Sequence, residues 1–265
     1  MPATPPLFFI HGMWSTPATF ARLRERFDAA GYSTHAPSLP YHQRDASLPP
    51  PPELGLLTVE DYAQFLTAEI ARLPAPPVLI GHSMGGTLAQ IVAARVEHAG
   101  LVLLATGPTA STPALGLGPL RAMAGIVRRW GWWRQPTLLS PEAARWSVYN
   151  DVPAEIAEPE IAALVWDSGR VLAEMILPSL SNTGATKVDH ARLRQPALVI
   201  VGCHDRITPA GLSRATARKL GGTVDYHEFA GAGHWLFWGD IEDRTGRTIE
   251  DWLAALPAAL ASSRA

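Results

Sequence analysis

The hexapeptide Gly-His-Ser-Met-Gly-Gly at residues 81–86 follows a short apolar run and precedes a segment with helical spacing. A serine on a tight strand-to-helix turn has an exposed hydroxyl, and the amides that begin the following helix favour developing negative charge. Glycines at positions 81 and 85 avoid crowding against neighbouring elements. The pattern predicts a nucleophile elbow with Ser83 as nucleophile. The alternative interpretation is an ordinary tight turn that carries an exposed serine.

A serine hydroxyl is a weak nucleophile at neutral pH, so this interpretation requires a base and a group that orients the base. Asp205 follows the apolar run 197–201, and open parallel sheets bind ligands at the carboxyl ends of their strands. An Asp that precedes Thr and Pro is also typical of a turn or helix cap. The loop after the preceding predicted strand, residues 106–112, contains no competing Asp or Glu. Asp205 is therefore the predicted orienting acid.

The predicted general base is His234, in the segment Gly-Ala-Gly-His-Trp that follows the last predicted strand. Its small neighbours leave the chain free to fold the imidazole back over the sheet. His204 is the alternative base because it adjoins Asp205, although the side chains of adjacent residues usually diverge. Four of the other histidines occupy positions typical of surface or packing residues: His35, His98, His190 and His227.

Acyl transfer also requires hydrogen-bond donors for the tetrahedral oxyanion, and the loss of one donor costs about 2.7–4 kcal/mol of transition-state stabilisation. The backbone amide of Met84, directly after the serine, is one predicted donor. The loop at residues 11–14, after the first predicted strand, offers the amide of Met13 as the second. We interpret His11 as structural.

The elements that must position these residues alternate regularly between predicted strands and predicted helices. Segments with helical spacing, such as 20–30 and 58–73, separate short apolar runs that are mostly uniform along their length. Uniform apolar runs suit strands that are covered on both faces, as in a parallel sheet with crossover helices. The predicted strands are residues 7–10, 32–36, 78–80, 101–105, 197–201 and 223–229.

Residues 107–190 lack this alternation and are predicted to form an inserted helical cap. Residues 1–106 and 191–265 then form the core. Prolines interrupt the insertion repeatedly, so the sequence predicts the insertion but does not define its individual helices. Trp14 and Trp235 are predicted to contact substrate because they adjoin the predicted catalytic positions. The cap tryptophans could line a pocket or attach the cap to the core; they are Trp130, Trp132, Trp133, Trp146 and Trp166.

Composition narrows the class of protein. The chain has 265 residues, 17% of them charged, and a formal net charge of -2, which argues against nucleic-acid or membrane partners and favours a small, weakly charged one. Cys203 is the single cysteine, so the sequence predicts no intrachain disulfide. No group of His, Asp and Glu residues has the spacing of metal ligands, and Ser-His-Asp chemistry needs neither a metal nor an organic cofactor, so none is predicted. The amino terminus lacks the features of a secretory signal, and we expect a cytoplasmic protein. The sequence does not indicate the oligomeric state.

These residues resemble the α/β-hydrolase superfamily, whose catalytic groups follow the chain order Ser83, Asp205, His234. The chain looks closest to small esterases, cofactor-free haloperoxidases and meta-cleavage hydrolases that carry a His-Gly-x loop and a helical cap. It begins at the family's third strand, so the resemblance implies a mostly parallel sheet of about six strands. Residues 37–42 replace the Asp-x-Pro-Gly-His-Gly-like loop of many relatives, with Ser38 and Tyr41 in altered positions.

The resemblance implies hydrolysis of a small carboxylic ester through an acyl-enzyme on Ser83, with lactones and thioesters as further candidates. Relatives that act on epoxides or alkyl halides carry Asp at the elbow, so Ser83 argues against those reactions. The alternative reaction is carbon-carbon bond hydrolysis or a cofactor-free lyase reaction on the same triad. A ligand receptor that binds without turnover is a further alternative.

Overall fold

A computed structural model of the protein describes residues 4–43, 47–114, 116–178 and 184–262. Six parallel strands form the central sheet, in the order β2-β1-β3-β4-β7-β8, and β5 and β6 form a separate antiparallel pair. The strands are β1 (Leu7–Ile10), β2 (Thr34–His35), β3 (Val78–His82), β4 (Gly100–Leu104), β5 (Pro136–Thr137), β6 (Asp167–Ser168), β7 (Ala197–Gly202) and β8 (Val224–Phe229). The predicted six-stranded α/β fold is confirmed.

Nine α-helices are present in the described part of the chain, and five of them flank the sheet. The helices are α1 (Ala21–Ala29), α2 (Val59–Ile70), α3 (Met84–Ala93), α4 (Leu117–Val127), α5 (Pro141–Ser147), α6 (Ala154–Ala162), α7 (Gly169–Ile176), α8 (Ala210–Ala217) and α9 (Gly239–Ser262). None of the described helices has both the length and the apolar run that a bilayer span requires.

The core lies on both faces of the sheet, because successive residues of a strand point to opposite faces. Leu7 and Phe9 of β1 pack in one cluster with α1 and α9. Phe8 and Ile10 pack in the other with α2 and α3. The four central strands are entirely buried, which explains their uniform apolar composition. The edge strand β8 alternates between half-buried and exposed positions instead, and only its last residue, Phe229, is buried.

Local sequence signals account for several helix boundaries. Thr58 accepts a hydrogen bond from Asp61 N, and the Asp61 side chain accepts one from Thr58 N, so the two residues form a capping box. α3 begins at Met84, because the helix follows the serine turn without a linker. A 3-10 helix, Pro52–Leu56, begins at the last of four consecutive prolines, residues 49–52.

The segment between β4 and β7, which we call the cap, contains α4 to α7 and the β5–β6 pair. These two strands pair antiparallel, with Pro136 opposite Ser168 and Thr137 opposite Asp167. The sequence predicts a cap made only of helices, so this two-stranded ribbon is an addition to the prediction. Each strand has two residues, which is too short for an alternating pattern to reveal it.

Candidate active site

Ser83 lies in the turn between β3 and α3, with φ +54° and ψ −122°. A non-glycine residue at positive φ is strained and persists only where the surrounding structure holds it. Here a Cβ at Gly81 would lie 2.3 Å from Gly85 O, and a Cβ at Gly85 would lie 2.0 Å from Ile10 O. The two glycines let the turn close tightly against β1, and the partly exposed Ser83 stands at its apex.

Asp205 and His234 meet beyond the carboxyl ends of β7 and β8. His234 Nδ1 lies 2.8 Å from Asp205 Oδ2, and both side chains are almost fully buried. Asp205 Oδ1 accepts hydrogen bonds from Ile207 N at 2.9 Å and from Thr208 N at 2.7 Å. Asp205 therefore forms a turn and also contacts the histidine, so the two interpretations of this residue are compatible.

A threonine that the sequence analysis did not single out completes this cluster. Thr208 Oγ1 lies 2.8 Å from Asp205 Oδ2, 3.1 Å from His234 Nδ1 and 3.0 Å from Ala105 O. The hydroxyl is buried and ties the acid to the end of β4. The only sequence signal for it was the spacing Asp-x-x-Thr, which is also that of a helix cap.

Two hydrogen bonds fix the loop that carries His234, one to His82 of β3 and one to Asp151 of the cap. His82 Nε2 donates a hydrogen bond to His234 O at 3.1 Å. Gly233 N donates one to Asp151 Oδ2 at 2.6 Å, so a cap carboxylate fixes the residue before the histidine. The competing base, His204, has an exposed side chain, and its backbone N donates a hydrogen bond to Ala232 O at 2.8 Å.

Two buried histidines near Ser83 have pKa values below the ordinary value of histidine. Burial, together with the charge of His234, lowers the pKa of His82 well below its ordinary value. Burial and the charge of His42 lower the pKa of His11 to about 3. His11 donates from Nδ1 to Gly12 O and accepts at Nε2 from Leu39 N, so both ring nitrogens of the neutral imidazole are satisfied. His11 is structural, as the sequence indicated.

The loop after β1 passes directly beside the serine. A Cβ at Gly12 would lie 3.1 Å from Ser83 Cβ, so glycine permits this approach. Met13 and Met84, whose amides were predicted as oxyanion donors, line the same cavity as Ser83. No hydrogen bond joins Ser83 to His234 among the described residues, and both line a second cavity. Catalytic hydrogen bonds are often long before substrate binds.

Two cavities of very different size meet at Ser83. The larger, of about 320 Å³, lies under α4 and α7 and is lined mainly by apolar residues such as Leu120, Met123 and Leu172. The smaller, of about 30 Å³, is the one that His234 lines. Trp14 lines both cavities and Trp235 lines the smaller one.

Among the described residues that line the two cavities at Ser83, none is a cap tryptophan. Trp132 is buried in the core cluster, Trp130 is 90% exposed, and Trp146 stacks with the guanidinium groups of Arg121 and Arg206. Trp132 and Trp146 therefore support a role in attaching the cap, whereas the exposed Trp130 supports neither role.

The fold defines the class: a six-stranded parallel sheet with a serine turn after its third strand and an acid and a histidine beyond its last two strands. The sequence matches the alpha/beta hydrolase family over residues 7–247, and the chain belongs to that family. This confirms both the predicted superfamily and the prediction that the protein is an enzyme, a hydrolase.

Individual relatives were found by sequence and by structure. A pimeloyl-[acyl-carrier protein] methyl ester esterase of Xanthomonas oryzae pv. oryzae is 29% identical over 96% of each chain. One of Chromobacterium violaceum is 27% identical over 90% of this chain and 91% of its own. A pyrethroid hydrolase from Sphingobium faniae JZ-2 superposes with a TM-score of 0.66 at 21% identity, covering 96% of this chain and 98% of the other. A methylesterase from Arabidopsis superposes with a TM-score of 0.63 at 17% identity, covering 93% of this chain and 98% of the other.

Proposed function

We propose that the protein hydrolyses a carboxylic ester through an acyl-enzyme on Ser83, with His234 as general base and Asp205 as its orienting acid. The observation that carries the proposal is the 2.8 Å contact between His234 Nδ1 and the buried Asp205 Oδ2, in a histidine that lines the same cavity as Ser83. This contact leaves Nε2 as the free nitrogen of the imidazole, which is the one that a base needs.

In the first step, Ser83 Oγ attacks the ester carbonyl carbon while His234 Nε2 takes the hydroxyl proton. The carbonyl oxygen becomes an oxyanion, stabilised by the amides of Met13 and Met84. The intermediate collapses, the C–O bond to the alcohol breaks, and His234 gives its proton to the departing alkoxide. An acyl group remains on Ser83 and an alcohol leaves.

In the second step, water attacks the acyl carbon and His234 takes one of its protons. A second oxyanion forms in the same site and collapses with cleavage of the bond to Ser83 Oγ, which recovers its proton from the histidine. The products are a carboxylic acid and a free serine. Asp205 holds the imidazole through Nδ1 and stabilises its charged form in both steps.

We assign the two halves of the ester to the two cavities. His234 must protonate the leaving alkoxide, so the alcohol lies in the cavity that His234 lines, and the acyl chain lies in the other. A space of about 30 Å³ accepts an alcohol of one or two heavy atoms. The apolar space of about 320 Å³ accepts a medium-length alkyl chain. The curated relatives are named as methyl ester esterases, which agrees with a small alcohol.

A panel of esters tests this function. We expect kcat/KM to rise from methyl acetate to methyl octanoate, because each buried methylene contributes about 0.8 kcal/mol. We expect it to fall from methyl to isopropyl to benzyl octanoate. Ser83→Ala should abolish turnover of all four compounds. Cleavage of a vinylogous diketone without turnover of any ester would contradict the proposal and favour carbon-carbon bond hydrolysis.

A further inference from the structure

Asp167, in the cap strand β6, is a fully buried carboxylate outside the catalytic cluster. Its Oδ1 accepts hydrogen bonds from Tyr62 OH at 2.8 Å and from Ser168 N at 2.6 Å. Its Oδ2 accepts one from Trp14 N at 3.1 Å and lies 3.0 Å from His42 Nε2. A buried charge is costly unless it is paired and hydrogen-bonded, and this one contacts three separate segments of the core.

Every partner of the carboxylate is a donor. Tyr62 supplies a hydroxyl, Trp14 and Ser168 supply backbone amides, and His42 supplies Nε2. His42 Nδ1 also faces an acceptor, Pro40 O, at 3.0 Å, so both ring nitrogens carry protons. Burial lowers the pKa of His42, but the charge and contact of Asp167 raise it further, and the net pKa lies above its ordinary value. The site requires an anion at position 167.

The core segment that Asp167 holds is the loop beside Ser83. Trp14 has φ +59°, which is strained for a residue with a bulky side chain. Cap residues bind it on three sides: Asp167 accepts from its amide, Val165 N donates to its carbonyl at 2.9 Å, and its indole Nε1 donates to Thr137 Oγ1 at 3.3 Å. The β5–β6 ribbon thus maintains a backbone conformation that an isolated loop would not keep.

Met13 directly precedes Trp14 and is the proposed oxyanion donor of this loop. Rotation about the N–Cα bond of Trp14 toward a relaxed φ would shift Met13 relative to Ser83. We propose that Asp167 is a positioning residue for the oxyanion loop, and that its carboxylate, by fixing Trp14, holds the Met13 amide in the geometry that the transition state requires. This inference rests on the proposed acyl-transfer function of Ser83.

The variant Asp167→Asn tests it, because an amide of nearly the same shape offers an NH₂ group to a site made of donors. With methyl octanoate we expect kcat to fall on the order of 10²-fold, as a misplacement of about 1 Å can cause, with little change in KM. The inhibition constant of an alkyl trifluoromethyl ketone should rise by a similar factor, since its hemiketal oxyanion occupies the same donors.

Glu174→Gln is the matched control. Glu174 is also a buried cap carboxylate that contacts α2, because its Oε2 accepts from Val59 N at 2.9 Å, and its Oε1 binds Arg170 at 3.0 Å. Within the described residues, no hydrogen bond or ion pair joins Glu174 to the oxyanion loop, residues 11–14. This variant should lose stability and keep both kcat and the inhibition constant within about threefold of wild type, because single buried hydrogen bonds act on stability alone when they lie away from the site.

Unchanged kcat and inhibitor affinity in Asp167→Asn would overturn the proposal, and so would equal losses in both variants. If Asp167→Asn does not fold, Tyr62→Phe removes one donor from Oδ1 with little change in shape. A fall of threefold or more in kcat and in inhibitor affinity would then support the inference, and no change would overturn it. Failure of the proposed function can be distinguished from failure of this inference, because it would appear as absent ester turnover in the wild-type enzyme.

Discussion

A single hydroxyl group connects three parts of the candidate site at the scale of individual residues. Thr208 contacts the acid, the histidine and the carbonyl group of Ala105. Its partners come from separate loops, so its importance depends on their convergence in the fold. By contrast, the Ser83 turn was predictable because glycines, serine and the following helix are adjacent in the chain.

Thr208→Val tests the contribution of this hydroxyl. Valine keeps the shape but leaves a buried carbonyl and carboxylate with one donor fewer, which costs about 1–3 kcal/mol of unfolding free energy. We also expect kcat to fall about tenfold, because the acid then orients His234 less well, while KM changes little. Steady-state kinetics and urea unfolding measure the two effects.

Thr208→Ser is the control for this variant, because serine retains the hydroxyl. It should recover most of the lost kcat. If valine and serine give equal kcat values, the hydroxyl has no role in orienting the acid.

The secondary-structure elements meet the site through close backbone contacts. α3 approaches β1 so closely at Gly85 that any side chain there would contact the carbonyl oxygen of Ile10. The sequence predicted the existence of β1, β3 and α3 from apolar runs and spacing. It missed β5 and β6 because two-residue strands carry no periodic signal, although their ribbon contacts Trp14.

Two glycine variants compare a tight contact with open space. Gly85→Ala should lower the free energy of unfolding by more than about 3 kcal/mol, because the backbone that the new methyl group meets cannot move cheaply. Gly125→Ala, inside α4 with no atom within 4 Å of the added Cβ, should raise it by about 0.4–1 kcal/mol. Chemical denaturation of both variants measures the difference. Equal effects would show that helix propensity, and not the contact with Ile10, determines the outcome.

At the scale of the whole molecule, the cap and core share one buried interior, and the candidate site lies between them. The larger cavity depends on how α4 and α7 pack above the Ser83 turn, and the smaller one on how cap residues such as Leu139, Tyr149 and Leu164 pack against His234. Such packing involves residues far apart in the chain, so the sequence predicted an insertion at residues 107–190 without predicting the cavity sizes. The same interior buries several histidines, which makes the stability of the protein depend on pH.

Stability should fall as pH decreases below 6.5. His11 and His82 are neutral in the fold because burial depresses the pKa of each, whereas in the unfolded chain each takes up a proton near pH 6.5. Each therefore contributes stability that is present above pH 6.5 and is lost as pH falls toward its folded pKa, at about 1.4 kcal/mol per pH unit. His42 is already protonated in the fold, so its contribution remains complete in this range.

The variant His11→Asn tests this pH dependence. Urea unfolding between pH 6 and pH 5 should show a slope of free energy against pH that is about 1.4 kcal/mol per unit smaller than that of the wild type. An unchanged slope would mean that His11 titrates in the folded protein.

The central claim is that Ser83 carries the acyl group, and peptide mapping of an acid-quenched reaction tests it most directly. With S-methyl octanethioate the methanethiolate leaves more readily than methoxide and is small enough for the cavity of about 30 Å³, so hydrolysis of the acyl-enzyme becomes the slow step and the intermediate accumulates. We predict one octanoyl group on the peptide that contains Ser83, together with a burst of methanethiol. Turnover with the octanoyl group on a different residue, or with no acylated peptide and no burst, would contradict the account.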